Sequence, residues 1–433
     1  RTTRNGHRLQ RKGYAQNVYT TLGCSLKNDE AMKVLHTSDW HLGHSLYNYD
    51  RSPEQQSFLQ QLTRIVAEEK PDVMVVSGDI YHYSTPSAAT QKMYTEGMLE
   101  VHKACPKMTI VVAAGNHDSS SKLEIDSSLW QHFGVKVVGN IERNGEEVNL
   151  EKHIIEVKDA EGRPKGYIVA IPHVYPQNFP MLDADTPREE RQSRFFQALL
   201  DETEKLNREE LPVVLMAHLT VEGSDRTGHD ESIGGIETVS LRDMGQGYDY
   251  LALGHIHCPQ DIKGSNHRAR YCGTPLPVSF DETYPHSVSI VELDGHHEPQ
   301  IRTVGIENPM PLVTLPREPL PFEEALQLLE EYPAEKQAYI RLNVLIDTYL
   351  APDCNERAAN AAKDKACKYC YIKSNRKKQT ADNGAQHLSI QEIQEMSPLD
   401  IAKLYYREAE GEDMDEELCG LMNDVLRQVK EKR

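Results

Sequence analysis

Apolar runs become regular from Met32 onward, and the early ones stop on polar residues able to do chemistry. Lys33-Val34-Leu35-His36-Thr37 reads as a short strand running into Ser38-Asp39-Trp40-His41. Phe58, Leu59, Leu62, Ile65 and Val66 then recur at helical spacing, and Pro71 ends that helix. Val73-Met74-Val75-Val76 is a fully apolar strand that stops at Ser77-Gly78-Asp79. A helix follows Pro86, and Thr109 to Ala114 is the next strand, stopping at Gly115-Asn116-His117-Asp118. Near-continuous apolar strands alternating with helices imply parallel strands buried between helix layers.

The pattern continues with more strand. Ile154 to Val157 and Tyr167 to Ile171 read as strands, and Phe195, Phe196, Leu199 and Leu200 mark a helix. Val213 to Ala217 stops at His218, and Tyr250 to Leu253 stops at Gly254-His255-Ile256-His257. Ser287 to Glu292 suggests an antiparallel finish. The sum predicts an α/β fold of four layers (αββα), two sheets face to face with helices outside.

Pro309 to Pro321 is proline-rich and reads as a linker. Beyond it Ile340, Leu342, Val344 and Ile346 alternate as a half-buried strand. An alanine-rich helix near Glu356 to Ala366 and a strand near Tyr369 to Ile372 complete a small α+β domain. From Ser389 the pattern is helical, with Ser397-Pro398 as N-cap and first-turn pair. Leu418, Leu421, Met422, Val425 and Val429 form an apolar stripe on the last helix. There are no internal repeats. We divide the chain into a tail (1–31), a main α/β region (32–308), a small capping domain (309–380) and a helical segment (381–433).

Composition sharpens this outline. The tail begins with Arg1, carries Arg4, Arg8, Arg11 and Lys12, and has no apolar signal-peptide core, so we exclude it from the fold and take Met32 as the natural start. No run approaches the roughly 18 apolar residues of a membrane span. The eight cysteines are irregularly spaced and do not resemble a disulfide framework, which makes a reducing cytoplasm the expected location. The net charge of −19 argues against a protein that holds nucleic acid mainly through its own basic surface.

Five of the strands end on metal-competent residues: Asp39 with His41, Asp79, Asn116 with His117, His218, and His255 with His257. In α/β sheets the loops at the carboxyl ends of strands converge on one crevice. Two carboxylates, an amide and several imidazoles are more than a single ion uses, whereas two ions about 3.5–4 Å apart would use them all. In Asp39-Trp40-His41 alternate residues project the same way from an extended segment, and His255-Ile256-His257 would act identically. Asp-x-His or Gly-Asp alone is a weak signal; the ordered set, always after an apolar strand, is a strong one.

Asp-x-His, Gly-Asp, Gly-Asn-His-Asp, a single His and Gly-His-x-His together resemble the signature of the calcineurin-like metallophosphoesterases. The longer strings His36 to Gly43, Ala252 to His257 and Tyr271-Cys272-Gly273-Thr274-Pro275 resemble the SbcD-like nuclease subunits within that superfamily. The resemblance covers Met32 to about Asp281 closely and the rest loosely. It implies one ion on Asp39, His41, Asp79 and His257, and a second on Asp79, Asn116, His218 and His255, with Asp79 bridging. It further implies that His117 protonates the leaving oxygen or steadies the phosphate, that Asp118 orients His117, and that the ions are manganese. Two cations would lower the pKa of the attacking water. The implied partners are DNA and an SMC-like ATPase, SbcC, docked on the carboxyl-terminal helices. A homodimer formed through helices of the first domain, within a nucleoid-associated heterotetramer, is also implied.

Other features read more plainly. His82 stands where many SbcD-like chains carry an acidic residue, and is either a substrate-side residue or a loop histidine. Glu222 to Ile236, with His229 and Asp230, reads as a surface loop near the site. Cys367 and Cys370 have half the spacing of a zinc site but no second pair, so they read as strand residues. Lys373, Arg376, Lys377 and Lys378 are either a phosphate contact or a solvated loop. The resulting expectation is a two-metal DNA exo/endonuclease acting on ends and hairpins in recombination and repair. The alternatives are a stand-alone phosphodiesterase or phosphatase for small molecules, and a structural adaptor without catalysis.

Overall fold

A computed structural model describes residues 31–144, 147–159, 161–183, 185–228, 238–346, 349–376, 398–410, 414–415 and 418–422. Through Asn375 they form one compact unit and from Arg376 a second. Residues 1–30 of the tail, His229, Asp230, Lys377, Lys378, Ser397, Val425 and Val429 lie outside the described residues.

In chain order the first unit contains β1 (Met32–Thr37), α1 (Ser52–Glu69), β2 (Val73–Ser77), α2 (Ala88–Ala104), β3 (Thr109–Ala113) and β4 (Val135–Val138). There follow β5 (Ile154–Lys158), β6 (Pro164–Ala170), α3 (Arg191–Leu206), β7 (Val213–His218), β8 (Tyr250–Gly254), β9 (Gln260–Asp261), β10 (Ala269–Tyr271), β11 (Ser287–Leu293) and β12 (Gln300–Gly305). One six-stranded sheet runs β12-β11-β1-β2-β3-β4 and the other β9-β10-β8-β7-β6-β5. β1 to β4 are mutually parallel, as are β6, β7, β8 and β10, while β11 and β12 supply the antiparallel finish.

The two-residue period of a strand sends alternate side chains to opposite faces, and here both faces are covered. Val34, Val73, Val75 and Val111 meet Ile168, Val214, Met216 and Ala252 between the sheets. Leu35, Met74, Val76 and Ile110 face outward onto Phe58, Leu62, Met93 and Met98 of α1 and α2. On the other outer face Val169, Leu215 and Leu251 meet Phe195, Phe196 and Leu199 of α3. This is a four-layer αββα fold, and it explains why the strands are apolar throughout.

The proline-rich stretch is not a linker. Leu312–Leu320 forms β13, which pairs in parallel with β14 (Tyr339–Ile346), and β15 (Lys368–Arg376) completes a three-stranded sheet in the order β13-β14-β15. Proline lacks an N–H but is tolerated on an edge strand, and β13 is an edge whose register shifts between Leu315 and Leu320. Helices α4 (Phe322–Glu330) and α5 (Cys354–Ala362) pack on this sheet through Leu326, Leu329, Ala358 and Ala362. Cys367 and Cys370 are free thiols, the first buried beside Tyr369. The Tyr339 hydroxyl donates to Glu54 (2.7 Å), Arg341 pairs with Asp281 (2.8 Å), and Tyr47 stacks on Tyr371 (4.6 Å), which ties this sheet to the catalytic layers. Lys373 also faces Asp281, at 3.4 Å. In the second unit Pro398–Glu410 forms helix α6. No helix among the described residues is long and apolar enough to cross a membrane.

Candidate active site

The site grows from the carboxyl ends of β1, β2, β3, β7 and β8. The first two loops are laced together by backbone bonds, Asp39 N–H to Gly78 C=O (2.9 Å), His41 N–H to Asp79 C=O (3.0 Å) and Leu42 N–H to Ile80 C=O (2.9 Å). Asp39 and His41 do not lie on an extended segment. Their φ angles are 53° and 46°, Asp79 has 52° and His255 97°, all on the left-handed side. Non-glycine residues held there cost about 1–3 kcal/mol each and concentrate at functional sites. The chain therefore curls at the ends of β1, β2 and β8, and that curl aims their side chains toward those from β3 and β7. Gly115 is required beside it, since a Cβ would overlap the Asp79 carboxylate.

Two donor groups result. Asp39, His41 and His257 each bring one atom to within 4.8 Å of the others, and Asp79, His218 and His255 do the same. Asn116 Oδ1 lies 2.9 Å from His218 Nε2 and 3.0 Å from His255 Nδ1. Asp79 Oδ2 lies between the groups, 3.4 Å from His218 Nε2 and 3.9 Å from His41 Nε2. Asp39 accepts from the Ser38 hydroxyl and from the His255 N–H.

The outer ring nitrogens have partners that decide which nitrogen faces inward. His218 Nδ1 meets the Ser77 carbonyl at 2.8 Å, and His257 Nδ1 meets the Glu282 carboxylate at 3.0 Å. Such contacts leave Nε2 as the inward donor. His41 Nε2 and His257 Nε2 face each other at 3.2 Å. Two imidazole lone pairs so directed repel unless a proton or cation lies between them. With buried carboxylates and an amide oxygen alongside, the set fits divalent metal ions of the manganese, zinc or iron type.

The electrostatics agree with that fit. Burial pushes the Asp39 carboxyl up, against the pull of His218 and His257. Burial also opposes ionisation of Asp79, but the imidazoles of His218, His41 and His117 outweigh it and hold its carboxyl well below the usual range. Burial would lower His218, yet Asp79 and Asp39 raise it to about 9. His41 is driven well down by burial.

His117 sits beside these groups, its ring 5.0 Å from that of His41, and its backbone N–H donates to Asp79 (2.9 Å). The expectation that Asp118 orients His117 is overturned. Asp118 accepts from the backbone N–H groups of Ile80 (3.1 Å), Tyr81 (2.9 Å) and Gly115 (2.9 Å). His117 Nδ1 instead meets the His82 carbonyl at 2.8 Å. The physical reason is local: the turn after β3 points Asp118 back at the unpaired amides of the neighbouring strand ends. Burial and the Asp79 charge push the Asp118 carboxyl up to about 6, against those three amides. His82 is no ordinary loop histidine, since its ring also lies against His41 (Nδ1 to Nδ1, 3.4 Å).

Residues 32–259 match the family model of the calcineurin-like phosphoesterases. The chain belongs to that family. Residues 309–410 match a second model, the type 5 capsule protein repressor C-terminal domain. A protein of Rhodobacter capsulatus, named as the D component of the nuclease SbcCD, is 32% identical over 302 residues, covering 67% of this chain and 74% of the relative. The Escherichia coli protein of that name is 25% identical over 89% of this chain and 94% of its own length. The Bacillus subtilis one is 31% identical over 65% and 71%. As a calcineurin-like phosphoesterase the chain is a metal-dependent phosphodiesterase, and these relatives support a nuclease role.

Two residues of this calcineurin-like site were not singled out from the sequence. Glu282 is buried and accepts from His257, from the Thr274 hydroxyl (3.0 Å) and from the Val278 N–H (3.2 Å). Asp281-Glu282 has no local cue, lying far along the chain from His257. Gly228, in the described part of the 222–236 loop, packs on Glu282 and brings that loop beside the site. His173 stands just past β6, with Nδ1 3.2 Å from the His218 carbonyl, and the strand-end rule that found the others would have flagged it. A carboxylate behind an imidazole donor raises its basicity, so Glu282→Gln is expected to weaken divalent-metal binding by about 10-fold or more. Calorimetric titration measures this, and an unchanged affinity would remove Glu282 from the site.

Proposed function

We propose that this protein is the nuclease subunit of an ATP-regulated complex that trims and nicks DNA ends and hairpins. The observation that carries the reading is the pair of donor groups with Asp79 between them. In this reading Asp39, His41, Asp79 and His257 hold one divalent ion, and Asp79, Asn116, His218 and His255 hold the second, both manganese. When bound, the two ions polarise the phosphate and lower the pKa of the attacking water. The protein's own part is to orient and to move a proton. Asn116 and the imidazoles fix the donors, the His82 carbonyl sets the His117 ring, and His117 Nε2 delivers a proton to the departing oxygen.

With a net charge of −19 the chain needs a partner for its grip on DNA. Ile401, Leu418 and Leu421 in the second unit are exposed apolar residues. They suit docking on an SMC-like ATPase such as the C component implied by the name SbcCD. We take 32–308 as the catalytic domain, 309–380 as the cap and 381–433 as the docking segment.

The test is manganese-dependent cleavage of a labelled hairpin and a linear duplex beside bis-p-nitrophenyl phosphate. Cleavage of DNA that needs manganese supports the reading. Turnover of the small diester with no DNA cleavage, even with the ATPase added, would transfer the site to a small-molecule phosphodiesterase.

A further inference from the structure

Several large apolar side chains of the described catalytic layers are exposed, and singly scattered ones need no explanation. Two differ by position. Tyr83 is 54% exposed and Tyr175 55% exposed. Each rests edge-on against a histidine of the site's surroundings: Tyr83 on His82 at 4.5 Å and 77°, Tyr175 on His173 at 5.0 Å and 83°.

Those histidines belong to opposite ends of the site. His82 stacks with His117 (5.2 Å) and meets His41 (5.3 Å), on the side of the first donor group. His173 lies 5.9 Å from His218 and 6.4 Å from His255, on the side of the second. Both segments are anchored to the site's backbone, His82 N–H to Leu42 C=O (3.0 Å) and His173 N–H to Ala114 C=O (2.7 Å). Lys122 further pins the loop after Tyr83, donating to the Thr85 hydroxyl (2.9 Å), and sets a cation beside it. Each tyrosine thus has one side held on the protein and the remainder in solvent, at a rim of fixed position.

We infer that Tyr83 and Tyr175 are stacking posts for unpaired bases on either side of the phosphate that the site cleaves. The inference rests on the nuclease reading and specifies its substrate as a strand unpaired at the point of cleavage. A tyrosine face takes any base, because every base has a π-face, so the posts grip without reading sequence. Paired bases are stacked within the duplex and do not offer that face.

The test uses the full chain with manganese and three substrates: a single-stranded oligonucleotide, an oligomer of abasic deoxyribose phosphates, and bis-p-nitrophenyl phosphate. Tyr83→Ala and Tyr175→Ala are expected to raise KM for the oligonucleotide by about 10-fold each. The preference for the oligonucleotide over the abasic oligomer should fall with it, and Tyr83→Phe and Tyr175→Phe should restore it. Tyr349→Ala, which removes an exposed tyrosine elsewhere (89% exposed), serves as the control. Alanine variants that keep the wild-type KM, or that lose as much on the abasic oligomer as on the oligonucleotide, overturn the inference alone. A wild-type chain that hydrolyses the small diester but no oligonucleotide, even with the ATPase added, overturns the nuclease reading and the posts together.

Discussion

Replacing His117 with alanine is expected to lower DNA cleavage by about 10²–10⁴-fold, the usual contribution of a positioned acid or base, while manganese still binds. The geometry separates the two effects. His117 Nδ1 is taken by the His82 carbonyl, and only its backbone N–H touches Asp79. The donor groups Asp39–His41–His257 and Asp79–His218–His255 are complete without its ring. Yet His117 also lies in a third cluster with His41 and His82, whose nitrogens approach within 4.8 Å. Titration of the alanine variant with manganese decides between the roles. Loss of an ion along with activity would make His117 a metal donor, and full activity would end its part in the chemistry.

Asp79→Asn is expected to weaken both ion sites together and to lower turnover by about 10³-fold, the scale seen when a group stabilising transition-state charge is lost. Its carboxylate is the one that reaches toward both His41 and His218. The His255 ring, by contrast, stands in the second group, and His255→Ala keeps the backbone N–H to Asp39, so it should weaken one ion. Calorimetry that finds two ions bound at wild-type affinity in Asp79→Asn would exclude a shared carboxylate. The same residue sets a pH dependence. Asp79 and Asp39 keep a proton on His218 up to about pH 9 in the metal-free protein. A cation needs the Nε2 lone pair that this proton occupies, so binding must displace it. Apparent affinity therefore falls as pH drops below about 9, and binding at pH 7 should release protons into the buffer.

Much of this architecture was legible in the chain. Val73 to Val76 and Val213 to Ala217 are apolar at every position because both faces of their sheets are covered. The polar residue ending each run marks where the strand leaves the core. That rule picks out Asp39, His41, Asp79, Asn116, His117, His218, His255 and His257 as metal-competent strand ends, and the structure draws them together. The rule faltered where the decisive contact is distant or the backbone unusual. Glu282 is 25 residues from His257 and is selected by packing, not by pattern. The prolines of β13 looked like a linker because nothing in their own segment reveals that the strand is an edge.

The sequence by itself determined the strand and helix order, the buried faces and the metal-competent residues at the strand ends, because these follow from short-range periodicity and from where apolar runs stop. Only the tertiary structure decided which donors share a group. His41 meets His257, and Asn116 meets both His218 and His255, across 216, 102 and 139 residues. Such meetings depend on strand order in two stacked sheets and on left-handed turns at Asp39, His41, Asp79 and His255. The same holds for His117, whose orienting partner is a backbone carbonyl. Every residue carries one, so no side-chain pattern in the sequence can single it out.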